Sequence, residues 1–137
     1  MVKVRKLSPE EVVDFREEWL QAINHVIAQV RGWAESRGWT TEIEQREVTE
    51  ERLGTYTVPV LGIDTPQGKL VLEPIGREII GAEGRLDLYA WPSLFRVMLL
   101  RRSDMSWIIR TDSGINWPHP WNQQTFEELA LGLLGDQ

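Results

Sequence analysis

Residues 85–100 read RLDLYAWPSLFRVMLL, two apolar-rich runs joined by a Pro-Ser pair. If that pair forms a two-residue turn, Leu86 faces Leu99 across an antiparallel hairpin. The same register sets Leu88 against Val97. One side of the hairpin is then entirely apolar, and a shift of one residue would mix the two sides. The pattern therefore predicts this register.

A third strand, residues 106–110, is predicted to return after a turn near residues 103–104. A three-residue loop would set Trp107 beside Leu99 and Ile109 beside Val97. The apolar side of the hairpin then continues across three strands. The opposite side gathers a mixed set of residues: Arg85, Asp87, Tyr89, Trp91, Arg96, Met98, Leu100, Ile108 and Arg110.

A long amphipathic helix is predicted near the amino terminus. Ser8 is placed to cap it, and Pro9 occupies the first helical position. Glu11 completes a capping box. Apolar residues then recur every three or four positions, with Arg16 as the one exception, and predict a helix of about 25 to 30 residues that ends near Gly38. The apolar positions are Val12, Trp19, Ile23, Val26, Val30 and Trp33.

From residue 40 onwards the apolar period changes to two, which predicts strands. Pro59 would place its strand at an edge or a bulge, since proline cannot donate to a ladder. The charged residues 47–52 are interpreted as a connection between strands. The predicted strands cover residues 39–44, 56–64, 69–73 and, briefly, 77–80.

Near the carboxyl terminus, residues 125–128 read TFEE and predict a second capping box. The short helix that follows would end at Gly135 and present one apolar face, formed by Phe126, Leu129, Ala130, Leu133 and Leu134. The predicted fold is a single α+β domain over residues 1–137. It has a long N-terminal helix, an antiparallel meander of about five to seven strands, and a short C-terminal helix packed on the sheet.

Composition narrows the functional classes. A chain of 137 residues with no cysteine has no disulfide and no thiolate metal site, and agrees with a cytoplasmic location. No apolar run approaches the roughly 20 residues of a membrane span, and no signal peptide is expected. The net charge of −6 argues against nucleic-acid binding. No glycine motif for phosphates is present, so no cofactor is predicted.

Tryptophan is the compositional outlier, with seven residues in the chain. Two of them flank a histidine in the sequence Trp117-Pro118-His119-Pro120-Trp121, where prolines stiffen the loop. Tryptophan fills cores and is also enriched at binding hot spots. This loop is therefore one candidate contact surface, and a small-ligand pocket near Trp91, Trp117 and His119 is a further hypothesis.

Asp87 has two interpretations. The stretch Gly84-Arg-Leu-Asp87 before a strand is similar to the layout of restriction-type nucleases, in which an Asp and a Glu-x-Lys on the next strand hold a divalent ion. That resemblance implies a metal-dependent enzyme using Asp87 with Glu83 or Glu73. The Glu-x-Lys is absent, however, because residues 97–101 read VMLLR. The simpler interpretation is that Asp87 lies between Arg96 and Arg110 and separates their charges.

The leading functional hypothesis is a non-enzymatic interaction or accessory protein, with a homodimer or another protein as its partner. Its contact residues would lie on the Trp/Tyr/Arg-rich sheet face or in the 117–121 loop: Tyr89, Trp91, Arg96, Arg110, Trp117, His119 and Trp121. The alternative is that the C-terminal loop and helix cover that face internally. No residue is assigned a catalytic or metal-binding role.

Overall fold

The computed structural model describes residues 5–111, 114 and 116–135. Its seven strands form one antiparallel sheet in chain order, with a helix at each end of the chain, so the α+β prediction is confirmed. The elements are α1 Pro9–Ser36, β1 Thr40–Glu50, β2 Gly54–Thr65, β3 Gly68–Gly76, β4 Arg85–Trp91, β5 Arg96–Arg101, β6 Trp107–Arg110, β7 Asn116–Trp117 and α2 Gln123–Gly135.

The predicted caps of α1 are present. Ser8 Oγ accepts from the backbone N–H of Glu11 at 3.1 Å, and the Glu11 carboxylate accepts from the Ser8 N–H at 3.0 Å. The helix runs for 28 residues from Pro9. It ends just before Gly38, whose φ of +80° is a conformation that glycine adopts without steric cost.

The register of the β4–β5 hairpin is the predicted one. Leu86 pairs with Leu99, and Leu88 pairs with Val97. All four side chains are at most 2% exposed, so the apolar side of the hairpin is buried. The sequence pattern therefore assigned these four residues to the correct face.

The predicted register of the next hairpin is wrong by two residues. Ile109 pairs with Leu99, and Trp107 pairs with Arg101. The turn is centred one position later than expected, because Arg102 donates its N–H to the carbonyl of Ser106 at 2.8 Å. A shift of two residues keeps every side chain on its expected face, so the face assignment survives the error.

Three further boundaries differ from prediction. β1 continues to Glu50, through most of the segment interpreted as a connection. Residues 77–80 form no strand and make only an isolated bridge between Ile79 and Ala82. α2 begins earlier than the TFEE motif, because Asn122 is the capping residue: its Oδ1 accepts from the Thr125 N–H, and Thr125 Oγ1 accepts from the Asn122 N–H, both at 2.9 Å.

β2 bends around the core at Pro59. On the N-terminal side of Pro59, Tyr56 and Val58 are buried in the main core, and on its C-terminal side Leu61 and Ile63 are buried there. The buried positions therefore change from even to odd numbers at Pro59, although the ladder to β1 is uninterrupted. The pairing of β2 with β3 covers only residues 61–65 and 68–72. Pro59 therefore lies where β2 has a partner strand on one side only, as its missing N–H requires.

Both helices of the described chain lie on the same side of the sheet. The buried residues of α1, such as Trp19 and Ile23, share one core with Phe126 of α2 and with Leu86 and Leu88 of β4. The expectation that the C-terminal loop and helix cover the Asp87 side is wrong. An apolar stripe shows that a helix is buried, but it does not say on which face.

Candidate functional site

We call the side of the sheet opposite the helices the open face. Strand register defines its residues, because side chains alternate between the two faces. From β1 to β6 they are Thr40, Glu42, Glu44 and Arg46; Val60, Gly62 and Asp64; Lys69, Val71 and Glu73; Arg85, Asp87, Tyr89 and Trp91; Arg96, Met98 and Leu100; and Ile108 and Arg110.

A cavity of about 270 Å³ lies on the open face between β1 and β4. Its apolar floor is a small cluster of Val60, Val71 and Tyr89, each at most 8% exposed. Gly62 keeps this space clear, because a Cβ there would lie 3.2 Å from neighbouring charged side chains. More exposed residues surround the floor: Glu42, Glu44, Arg46, Lys69 and Trp91.

Asp87 is the centre of a buried ion cluster. Its side chain is only 2% exposed. Arg85 donates from Nε to Oδ1 at 2.7 Å and from Nη2 to Oδ2 at 2.9 Å. Arg96 donates from Nη1 to Oδ2 at 3.3 Å, so the predicted diagonal contact between Asp87 and Arg96 is confirmed. Both carboxylate oxygens therefore accept hydrogen bonds from guanidinium groups.

Glu73 extends the ion cluster towards the cavity. It lies directly opposite Asp87, and it accepts hydrogen bonds from Arg96 at 3.2 Å and from Arg46. The Tyr89 hydroxyl donates to Glu73 Oε1 at 3.3 Å, and the Arg96 guanidinium lies 4.0 Å from the Tyr89 ring centroid. Burial, together with the negative charge of Glu73, raises the pKa of Tyr89. Tyr89 is therefore protonated at neutral pH and serves as a donor.

The arrangement around Asp87 is that of a charge cluster and does not resemble a metal centre. Its nearest carboxylate, Glu73, already serves two arginines, and Glu83 interacts with Arg77 at 3.6 Å. A cation at Asp87 would meet guanidinium groups where it needs oxygen ligands. In residues 5–111, 114 and 116–135, no group of three or more His, Asp or Glu side chains is arranged to hold a metal ion.

Arg110 does not take its predicted place. It pairs with Met98, whereas the expected hairpin register set it opposite Arg96. Its Nε donates to Asn116 Oδ1 at 2.8 Å, which ties it to β7. The reason is the two-residue shift of the β5–β6 register. Asp87 therefore separates Arg85 from Arg96, and Arg110 lies one strand further along the sheet.

The β4–β5 turn presents apolar side chains to solvent. Trp91 is 61% exposed and Leu94 is 88% exposed. Phe95 is also exposed. Trp91 borders the cavity, so the cavity and the turn form one continuous surface. Exposed large apolar side chains that adjoin one another are typical of contact surfaces.

The three predicted contact residues of the 117–121 loop lie apart from the open face. Trp121 packs against Trp33, with 5.5 Å between ring centroids, and Trp117 also packs on the main core. His119 is exposed, and its ring meets Trp117 edge-on at 4.5 Å. Trp117 and His119 line a second, shallower depression, whereas Trp91 lines the cavity of the open face. The predicted contact residues thus fall into two separate groups.

Other polar side chains belong to simpler arrangements. Asp64 lies opposite Lys69 across the β2–β3 hairpin, whereas Lys69 Nζ contacts Glu42 at 2.8 Å. Arg101 was not predicted as a buried side chain, yet it is 2% exposed and donates to Glu18 at 2.6 and 2.8 Å. Arg46, which donates to Glu73, was not predicted as part of the site either. The register of β3 with β4 could have indicated that Glu73 lies on the open face opposite Asp87.

Comparison of the chain with models of protein families, with curated proteins and with solved structures gives no match in any of the three. Neither described helix is both long and apolar enough to cross a membrane.

Proposed function

We propose that the chain is a non-enzymatic protein-interaction domain whose contact surface is the open face. One observation carries this proposal: both helices pack on the other side of the sheet, while Trp91 stands 61% exposed beside a cavity with an apolar floor. A surface of this kind is typically completed by a partner. The absence of cysteine further favours a cytoplasmic location for the domain.

The composition of the open face supports an interface. Tyr, Trp, Met and Arg are the residue types enriched at the centres of protein interfaces, and Tyr89, Trp91, Met98 and Arg96 adjoin one another on β4 and β5. The carboxylates of Asp87 and Glu73 are already paired. A partner that covers them therefore does not have to compensate for an unpaired charge.

The 117–121 loop is a weaker candidate for the contact surface. Its two tryptophans pack against the main core, so their apolar area is already largely used within the fold. Only His119 and its flanking prolines are exposed there.

A small ligand in the open-face cavity is the second candidate function. Val60, Val71, Tyr89 and Trp91 supply an apolar and aromatic lining. The cavity of about 270 Å³ is slightly smaller than ordinary ligand pockets, which span about 300–1,000 Å³. It fits one inserted side chain of a protein partner better than it fits a whole drug-sized molecule.

Site-specific photo-crosslinking tests the proposal. A photoreactive phenylalanine analogue at position 91 should capture a polypeptide in cells that express the chain natively. The same analogue at Leu131, an exposed position on α2, is the matched control and should capture none. If both positions give the same products, or if position 91 gives none, the open face is not a protein-contact surface.

A further inference from the structure

The charges of the open face are divided between its two halves. Within the described strands, the half formed by β1–β3 carries four carboxylates and two cations between residues 42 and 73: Glu42, Glu44, Asp64, Glu73, Arg46 and Lys69. The half formed by β4–β6 carries three arginines and one aspartate: Arg85, Arg96, Arg110 and Asp87. In a chain of net charge −6, the arginine half is a local exception.

The register sets the outermost of these charges in one row. Glu44 on β1 pairs with Val60, and further along the same row Asp87 pairs with Met98, which in turn pairs with Arg110 on β6. The row therefore begins with a carboxylate and ends with a guanidinium. The Glu44 side chain is 78% exposed, and its ion pair with Arg46 of its own strand is long at 3.9 Å.

The open face is large enough for a stable interface. The six strands β1–β6 at about 4.8 Å spacing span about 24 Å, and a strand of seven residues such as β4 also spans about 24 Å. The flattened area is about 580 Å² per copy, close to the roughly 600 Å² per partner at the lower end of specific, stable interfaces.

We infer that the partner of the open face is a second copy of this chain, packed face to face about a two-fold axis parallel to the strands. This inference rests on the proposed interaction function and names its partner. Rotation about such an axis places β1 of one copy over β6 of the other. Glu44 of each copy then meets Arg110 of its partner copy, and the contact occurs twice. The apolar centre around Tyr89, Trp91 and Met98 is buried between the sheets.

The other in-plane axis gives an unfavourable arrangement. A two-fold axis perpendicular to the strands would place β1 over β1, so that Glu42 and Glu44 of the two copies face each other. Like charges that face each other across an interface repel and disfavour the complex. Pairing of two β1 edges would likewise bring acidic strands together. The division of charge therefore selects one packing, in which unlike halves meet.

A charge-swap experiment tests this inference on the purified chain. Sedimentation equilibrium should show a dimer for the parent. Glu44→Arg alone and Arg110→Glu alone should each weaken dimerisation at least about tenfold, because each creates two like-charge contacts. An equimolar mixture of the two variants should dimerise like the parent, since both contacts are again between unlike charges. Glu17→Arg, an exposed reversal on α1, is the matched control and should dimerise normally.

Each outcome is decisive. A parent that stays monomeric at its highest soluble concentration overturns the second copy as partner. A parent dimer that both single variants leave unchanged, or a mixture that stays monomeric, overturns the packing. If the parent is monomeric but position 91 still crosslinks to another polypeptide, the interaction function stands and the self-association fails. Circular dichroism of each variant confirms that it is folded.

Discussion

Replacing Asp87 with asparagine should destabilise the fold by about 2–3 kcal/mol. The carboxylate is 2% exposed and accepts three hydrogen bonds from Arg85 and Arg96 at 2.7–3.3 Å. Neutralising one member of a buried ion pair costs about 3–5 kcal/mol, because the other charge is left without compensation. Here the two arginine side chains are 30% and 33% exposed and can turn towards water, which lowers the expected cost.

Urea unfolding followed by tryptophan fluorescence measures this effect. With a slope of about 1.5 kcal/mol per molar, the midpoint should fall by about 1.3–2 M. Asp64→Asn is the control, because Asp64 is an exposed carboxylate on the same face, and its effect should stay within about 0.5 kcal/mol. An Asp87→Asn variant as stable as its parent, or more stable, would refute the ion-cluster interpretation. A carboxylate kept at a cost in stability is typical of catalytic residues.

Gly84→Ala should lower the free energy of unfolding by about 3 kcal/mol, because φ is +150° and a Cβ would lie 2.3 Å from the buried ring of Trp19; an unchanged urea midpoint would contradict this. Glu18→Gln should cost about 1–2 kcal/mol at neutral pH, because buried Arg101 loses its carboxylate. The hydrogen bond from Arg101 lowers the pKa of Glu18, so this stabilisation is present above about pH 4.5 and is lost as the pH falls further. Urea midpoints at neutral pH and at about pH 3 should therefore differ less in the variant than in the parent, and an equal difference would count against the pairing.

Alternating hydrophobicity and a two-residue turn at residues 92–93 were together sufficient to predict the β4–β5 hairpin, because alternation sets the faces of Leu86 and Leu88 and the turn sets the register. It was not sufficient for the β5–β6 hairpin. Registers two residues apart bury the same side chains there, so the choice depends on the turn. Hydrogen bonds within residues 102–106, including two from Ser106 to the Asp104 carboxylate, decide it.

The length of β1 was underestimated for a different reason. Most of its residues are exposed, so its sequence does not alternate between apolar and polar residues in the way that marks a half-buried strand. Its continuation depends on the ladder with β2 and on contacts such as the 2.8 Å hydrogen bond between the hydroxyls of Thr49 and Thr55. Such cross-strand contacts follow from pairing and are not visible in a single segment.

For the candidate site, the sequence predicted the residue types on the sheet face but not the side on which the helices pack. The sequence indicated that the Asp87 side of the sheet is rich in tryptophan, tyrosine and arginine. It could not indicate that α2 joins α1 on the other side, because the apolar stripe of α2 fits either face. The consequence concerns Tyr89 and Trp91, which border a cavity that neither helix fills.

The ion cluster explains how the open face can bind a partner through apolar residues although it also carries buried carboxylates. Unpaired carboxylates at Asp87 and Glu73 would have to be desolvated whenever a partner closed over them, at a cost of several kcal/mol per ion. Because these carboxylates already form ion pairs with Arg46, Arg85 and Arg96, most of their desolvation takes place during folding. Binding then has to desolvate mainly the apolar floor and the outer charges. Affinity should therefore depend on the outermost charges and on Trp91, while mutation of the cluster should act first on stability.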